Sequence, residues 1–132
     1  MDKTKTIKQL ESIVGKENVL YHKEDVIVYE QDAFVMSALP DFVVFPSKTS
    51  EVSDIVKLAN KEGIPIVPRG AGTGISGGAI PVSGGIMISL TKMNRILEID
   101  LKNRVAVVEP GVINLELTKV VAPYGFFYAP DP

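Results

Sequence analysis

The chain has 132 residues, with 14 basic against 16 acidic side chains, no cysteine and one histidine, for a formal net charge of -2. That length suits one domain able to bury about two-thirds of its unfolded surface. A balanced charge without long single-sign runs argues against a nucleic-acid partner, the missing cysteines exclude disulfides and thiolate chemistry, and no stretch of about 18 apolar residues offers a membrane-spanning helix.

The polar start MDKTKTIKQLE lacks the apolar centre of a secretory signal, so a soluble, cytoplasmic protein is expected. Thr4 or Thr6 is the expected cap of a first helix, in which Ile7, Leu10, Ile13 and Val14 recur at spacings of three or four before Gly15 stops it. His22 stands in the polar stretch YHKED without partners and is assigned no role, and no metal site is expected. Val26 to Tyr29 reads as a short strand or turn.

The pattern sharpens at DFVVFP, Asp41 to Pro46, a β-rich run closed by proline and expected as a buried strand. Ser50 is the expected cap of a second long helix, with Val52, Ile55, Val56, Leu58 and Ala59 on its buried face and Gly63 at its end. Ile64 to Val67 follows as a second buried strand, which makes a βαβ unit with a parallel crossover. Ile86 to Leu90 reads as a third strand. Arg95–Asp100 and Arg104–Glu109 form a hairpin with Lys102 and Asn103 at its tip. A last helix with Leu115, Leu117, Val120 and Val121 runs to about Ala122, before Pro123 and Gly125.

Between the second and third strands lies PRGAGTGISGG, Pro68 to Gly78, with glycines at 70, 72, 74, 77 and 78. Glycine lacks a Cβ and tolerates positive φ, so successive N–H groups can turn into one concavity and approach a phosphate closely. A phosphate-bearing cofactor is the expected ligand, weighed against an ordinary flexible loop. Gly72, Gly74 and Gly77 also satisfy G-x-G-x-x-G, which raises an NAD-binding Rossmann domain as a minor alternative. That fingerprint must open a helix, and Gly78, Pro81, Gly84 and Gly85 leave no room for one. A P-loop is excluded because no glycine precedes Lys and then Ser or Thr.

PRGAGTGISGGAIP, preceded by strand, helix and strand and followed by MNRILEID, VEPGV and YAPDP, resembles the N-terminal part of the PCMH-type FAD-binding domain of the vanillyl-alcohol oxidase and p-cresol methylhydroxylase superfamily. Within it the sequence looks closest to the FAD-binding component of glycolate oxidase and to the FAD-linked D-lactate dehydrogenases, and the resemblance extends from near Leu10 through Tyr29, Asp32 and Ala33 to Pro132. The fold it implies is α+β: a small sheet containing the βαβ unit, flanking helices and a β-hairpin, all within residues 1–132 as one portion of that domain.

The resemblance implies that the backbone of Arg69, Gly70, Ala71, Gly72, Thr73 and Gly74 cradles the FAD pyrophosphate, with Ser76 and Gly77 continuing the contact. It further implies that Pro46 and Pro68 end the strands shaping the cleft, and that Pro130 and Asp131 lead into a second flavin-lining stretch. The Arg69 side chain is open between pairing with an anion and structural support. With no cysteine and no well-placed histidine, FAD is expected to be held noncovalently. The implied activity of the parent family is FAD-dependent oxidation of a 2-hydroxy acid such as glycolate or D-lactate.

No catalytic residue is assigned. The second half of the FAD domain and the cap domain of such enzymes fall outside these residues, so the isolated chain is expected to be colourless and catalytically incompetent, and a longer polypeptide continuing past Pro132 to be yellow. The alternative is a non-catalytic nucleotide-binding module or split subunit completed by another chain, with self-association through uncovered apolar surface.

Overall fold

A computed structural model describes residues 2–31 and 36–130. Its framework is a four-stranded sheet built from β1 (Val19–Leu20), β2 (Phe42–Val44), β3 (Ile66–Arg69) and β4 (Ile86–Ser89), in the order β1-β2-β4-β3. β1 runs antiparallel to β2, and β4 pairs in parallel with both β2 and β3. The expected parallel crossover is present, through helix α3 (Thr49–Glu62), but β4 lies between the two strands it joins. The expected burial of the strand at Ile64–Val67 is corrected accordingly. Ile64 itself is buried, but β3 is an edge strand whose Ile66 is exposed, because only β4 flanks it.

The side chains of the sheet alternate between two cores. Val19, Phe42, Val44, Ile86 and Ile88 pack with Leu10 and Val14 of helix α1 (Lys3–Val14) and with Ile55, Leu58 and Ala59 of α3. The opposite face is smaller: Val43 and Met87 meet Val26, with Leu20, Tyr29 and Phe45 partly buried around them. Val26 and Tyr29 reach it from the turn alternative of the sequence reading, a short helix α2 (Lys23–Val26) followed by a 3-10 turn at Ile27–Tyr29. Residues three apart share one side of such a turn, so no strand forms there. β1 was not foreseen, since two residues are too few to show a period.

Both expected helix caps are corrected. Asp2 caps α1, its carboxylate accepting the Lys5 N–H at 3.1 Å, while Thr6 is buried inside the helix with its hydroxyl on the Asp2 carbonyl. At α3 the N-cap is Lys48, and Glu51 reaches back to accept the Ser47 N–H at 2.7 Å; Ser50 lies within the helix. Gly63 ends α3 in the left-handed region at φ 64°, as expected, whereas Val56 points to solvent.

Beyond the sheet, β5 (Ile96–Asp100) and β6 (Val105–Val108) form the expected antiparallel hairpin, with a bulge between Ile96 and Glu98. Asp100 closes its turn by accepting the Asn103 N–H at 2.9 Å. Helix α4 (Asn114–Val121) ends in a 3-10 turn at Ala122–Tyr124 and a left-handed Gly125. It buries Leu117 and Val121 but leaves Leu115 and Val120 exposed, a narrower apolar contact than the sequence suggested.

Candidate anion cradle at the carboxyl edge of the sheet

Because β2, β3 and β4 are mutually parallel, their carboxyl ends share one edge, where ligands of open α/β sheets gather. Three connections leave from it: Phe45 and Pro46 after β2, the glycine loop after β3, and Leu90 to Asn94 after β4. Pro46 is fully buried at this edge. Pro68 does not end its strand as expected but sits inside β3 opposite Ile88, a position open to proline because β3 has a neighbour on one side only.

Residues Gly70–Gly78 form an irregular, largely exposed loop, and the element that follows it is β4. No helix opens on these glycines, which removes the structural context a Rossmann fingerprint needs. Among the described residues, none of the backbone N–H groups from Gly70 to Gly78 donates a hydrogen bond to protein. The loop is anchored at its ends instead: the Arg69 carbonyl accepts the Leu90 N–H at 2.9 Å, and the Gly77 carbonyl accepts the Ile80 N–H at 3.2 Å.

The glycines are not alike. Gly72 and Gly77 have positive φ, 74° and 73°. A Cβ added at Gly70, Gly74 or Gly78 would meet nothing within 4 Å, whereas one at Gly72 would stand 2.8 Å from Arg69 Nε. The Arg69 guanidinium is folded under the loop, its Cζ 5.8 Å from the centre of the Tyr29 ring, which in turn meets Phe45 edge-on at 5.9 Å. Arg69 Nη1 is buried and has no hydrogen-bond partner among the described residues.

Ala71 continues into a recess of about 160 Å³ shared with Thr91, Asn94, Gly111, Ile113 and Glu116. Gly111, from the VEPGV motif, makes this junction possible: its N–H donates to the Met93 carbonyl at 2.8 Å, and a Cβ there would stand 2.9 Å from that same oxygen. Just before it, buried Glu109 accepts from the Arg95 N–H at 2.8 Å and from the Arg95 guanidinium at 2.7 Å. The Arg95 side chain, then its backbone N–H, hold the Glu109 carboxyl below its ordinary value near 4.5, although burial alone would raise it. At Asp41 burial also acts to raise the carboxyl, but Lys3 and the Gly85 N–H outweigh it and the result is lowered. Neither acid belongs to the glycine loop, where the charged group folded against the backbone is Arg69.

The expected residues therefore gather in two places. Pro46, Pro68 and residues 69–77 lie along the carboxyl edge of the sheet. Pro130 sits on α4, its carbonyl accepting from Asn114 Nδ2 at 3.0 Å, and Asp131 lies outside the described residues. Sequence reading missed Tyr29 as the platform beneath Arg69; its partner lies forty residues away, and no local period marks it. The separate cavity of about 420 Å³ between the hairpin and α4 is lined by Ile99, Val105, Leu117, Val121 and Phe126 and does not include the glycine loop.

Comparison with known proteins agrees with this geometry. A family model described as an FAD binding domain matches residues 40–132. Glycolate oxidase subunit GlcD of Bacillus subtilis is 42% identical over 131 residues, covering 98% of this chain and 28% of that protein. A D-lactate dehydrogenase of Anaerostipes hadrus is 38% identical over 133 residues, covering 100% of this chain and 27% of that protein. The solved structure of p-cresol methylhydroxylase with substrate bound superposes with a TM-score of 0.82 at 27% identity, over 92% of this chain and 25% of the other. The chain thus spans under a third of the length of these proteins.

Proposed function

The chain belongs to the FAD binding domain family, and on that premise we propose that it forms the pyrophosphate-holding part of the flavin cleft in an oxidoreductase acting on a 2-hydroxy acid such as glycolate or D-lactate. The relatives named glycolate oxidase and D-lactate dehydrogenase support the substrate class. The observation that carries the reading is the run of backbone amides from Gly70 to Gly78 without protein partners among the described residues, beside a buried guanidinium nitrogen in the same state.

These residues fit the cofactor. Open space around Gly70, Gly74 and Gly78 admits a ligand against the backbone, and clustered N–H donors hold a diphosphate without a lysine. The backbone of Arg69 to Gly74, with Ser76 and Gly77, would hold the diphosphate; Pro46 and Pro68 would shape the strand ends beside it; Pro130 and Asp131 would lead towards the remaining flavin contacts. FAD, when bound, supplies the hydride acceptor for carbon–hydrogen oxidation. The chain's own part is to fix the cofactor in place and neutralise its phosphates. Attachment is noncovalent in this reading: the chain has no cysteine, and His22 is exposed beside Tyr21.

A second reading shares the cradle and is favoured by the bare hairpin. Leu97, Val105, Val107 and Val108 are exposed, so further polypeptide, another chain or a second copy, completes the cleft, and alone the chain acts as a nucleotide-binding module. Half a cleft keeps the ordering cost and loses contacts, so weak binding is expected from residues 1–132.

Equilibrium dialysis against FAD, ADP and riboflavin tests the proposal. FAD and ADP, which share the diphosphate, should bind with similar weak affinity, and riboflavin should not bind. Riboflavin retention equal to that of FAD, or no retention of either diphosphate, would contradict it.

A further inference from the structure

We propose that Arg69 is the positioning residue of the phosphate cradle: packed against Tyr29 and the α-carbon of Gly72, its guanidinium sets the curvature of the loop from beneath and holds a positive charge under its free amides. The inference rests on the diphosphate reading of that loop. It also assigns two different reasons for glycine within one motif. Gly72 is glycine because its backbone takes a positive φ and the Arg69 guanidinium lies where a side chain would stand; Gly70, Gly74 and Gly78 are glycine because a ligand needs the space of theirs.

The register places Arg69 for this task. Opposite Ser89 in the parallel ladder, it points to the same sheet face as Met87, the face covered by Tyr29 and Phe45. From there the side chain turns back under the loop that its own backbone begins. The Cζ atom lies 5.8 Å from the Tyr29 ring centre, within the range of a cation–π contact. On the loop side, a Cβ at Gly72 would be 2.5 Å from the same Cζ, so a side chain there displaces the guanidinium from its seat. Gly72 also adopts φ 74°, a conformation other residues resist.

Among the described residues nothing uses the glycine at the three open positions. Gly70, Gly74 and Gly78 have ordinary φ values and empty surroundings, so alanine fits each of them in the free protein. A residue that the described fold does not need small, in a loop whose amides have no partner among the described residues, is small for something that approaches the backbone.

The charge beneath the loop has no anion among the described residues. Among the described residues Arg69 takes part in no salt bridge, and its buried Nη1 lacks any acceptor. Unpaired buried donors are costly, and a guanidinium more so than a neutral group. A diphosphate seated on the loop amides supplies a counter-charge through one layer of backbone. Arg69 therefore acts on the ligand through the loop it shapes.

The test uses the whole chain, with ADP as the probe and backbone amide NMR as the readout. In the free protein, Gly72→Ala and Tyr29→Leu should each move the amide signals of residues 70–78, while Gly74→Ala should move only its immediate neighbours. Gly74→Ala should nevertheless weaken ADP binding by about tenfold or more. Gly72→Ala should weaken it too, and adding Arg69→Ala should cost nothing further, because the clash and the brace are one interaction. Arg69→Lys, which keeps the charge but not the plane, should retain part of the affinity that Arg69→Ala loses. The proposal is overturned if Tyr29→Leu and Gly72→Ala leave the free loop signals in place, or if the Arg69 and Gly72 losses simply multiply. If the unaltered protein shows no ADP-induced change at residues 70–78, the diphosphate reading fails, and the ligand-free signals still decide whether Arg69 braces the loop.

Discussion

Both faces of the four-stranded sheet are covered, whereas the hairpin carries Leu97, Val105, Val107 and Val108 into solvent. The two regions are equally rich in β-branched and aliphatic residues, so composition does not separate them. Position does: β4 is flanked by strands on both edges and by helices α1 and α3 on one face, while β5 and β6 have only each other and the thin contact of α4. The sheet is thus a finished scaffold that fixes the glycine loop, and the hairpin a surface that wants a neighbour. A cofactor cleft needs both kinds of region, one rigid enough to aim donors and one able to accept the rest of the enclosure.

The comparison breaks most visibly in the core. Phe42→Ala, at a side chain with no exposure, should cost about 3–5 kcal/mol in chemical denaturation, enough to unfold a marginal domain. Leu97→Ala, at 56% exposure in the hairpin, should change stability by no more than about 0.5 kcal/mol. Equal losses at the two sites would mean that the hairpin is covered after all.

Next in size is the clamp that ties the hairpin to the scaffold. Glu109→Gln removes the charge that Arg95 and its N–H hold, and should speed amide exchange through Ile96–Val108 while leaving β2 and β4 protected. Acid should act in the same direction. The folded Glu109 carboxyl sits below its ordinary value near 4.5, so its contribution is fully present above that pH and is lost as pH falls through the lowered value. Asp41, lowered by Lys3 and the Gly85 N–H against burial, adds the same sign at the start of β4. Denaturation midpoints should therefore fall from neutral pH to about pH 3, with a shallower fall in Glu109→Gln.

The smallest effect sharpens the scaffold side. Asp2→Ala should cost about 1 kcal/mol by removing the α1 cap, with no change at the hairpin or the loop. A shift of glycine-loop signals in that variant would show that the scaffold is less rigid than its packing implies.

How much of this was legible in the sequence follows from the range of each interaction. Strands β2 and β4, helix α3 with its Gly63 stop and the hairpin all write a local period or turn, and each could be read. The insertion of β4 between β2 and β3 could not, because strand order is decided by which edges meet in space. Helix caps were misplaced for a related reason: Thr4, Thr6 and Ser50 are the right residue types, but α1 begins at Lys3 with Asp2 accepting the Lys5 N–H, and α3 begins at Thr49, ahead of Ser50. The glycine loop was visible as a phosphate motif, while the division of its glycines was not. Gly72 differs from Gly74 by its positive φ and by the fold of Arg69 back across Tyr29, and that contact joins residues forty positions apart.

The central claim is that the amides after β3 hold a diphosphate. The most direct measurement is an amide NMR titration of the assigned protein with ADP, with adenosine as the control. The account expects ADP to shift the signals of Gly70 to Gly78 in a saturable way and adenosine to leave them unmoved. Shifts confined to the hairpin and α4, or identical responses to both ligands, would contradict it.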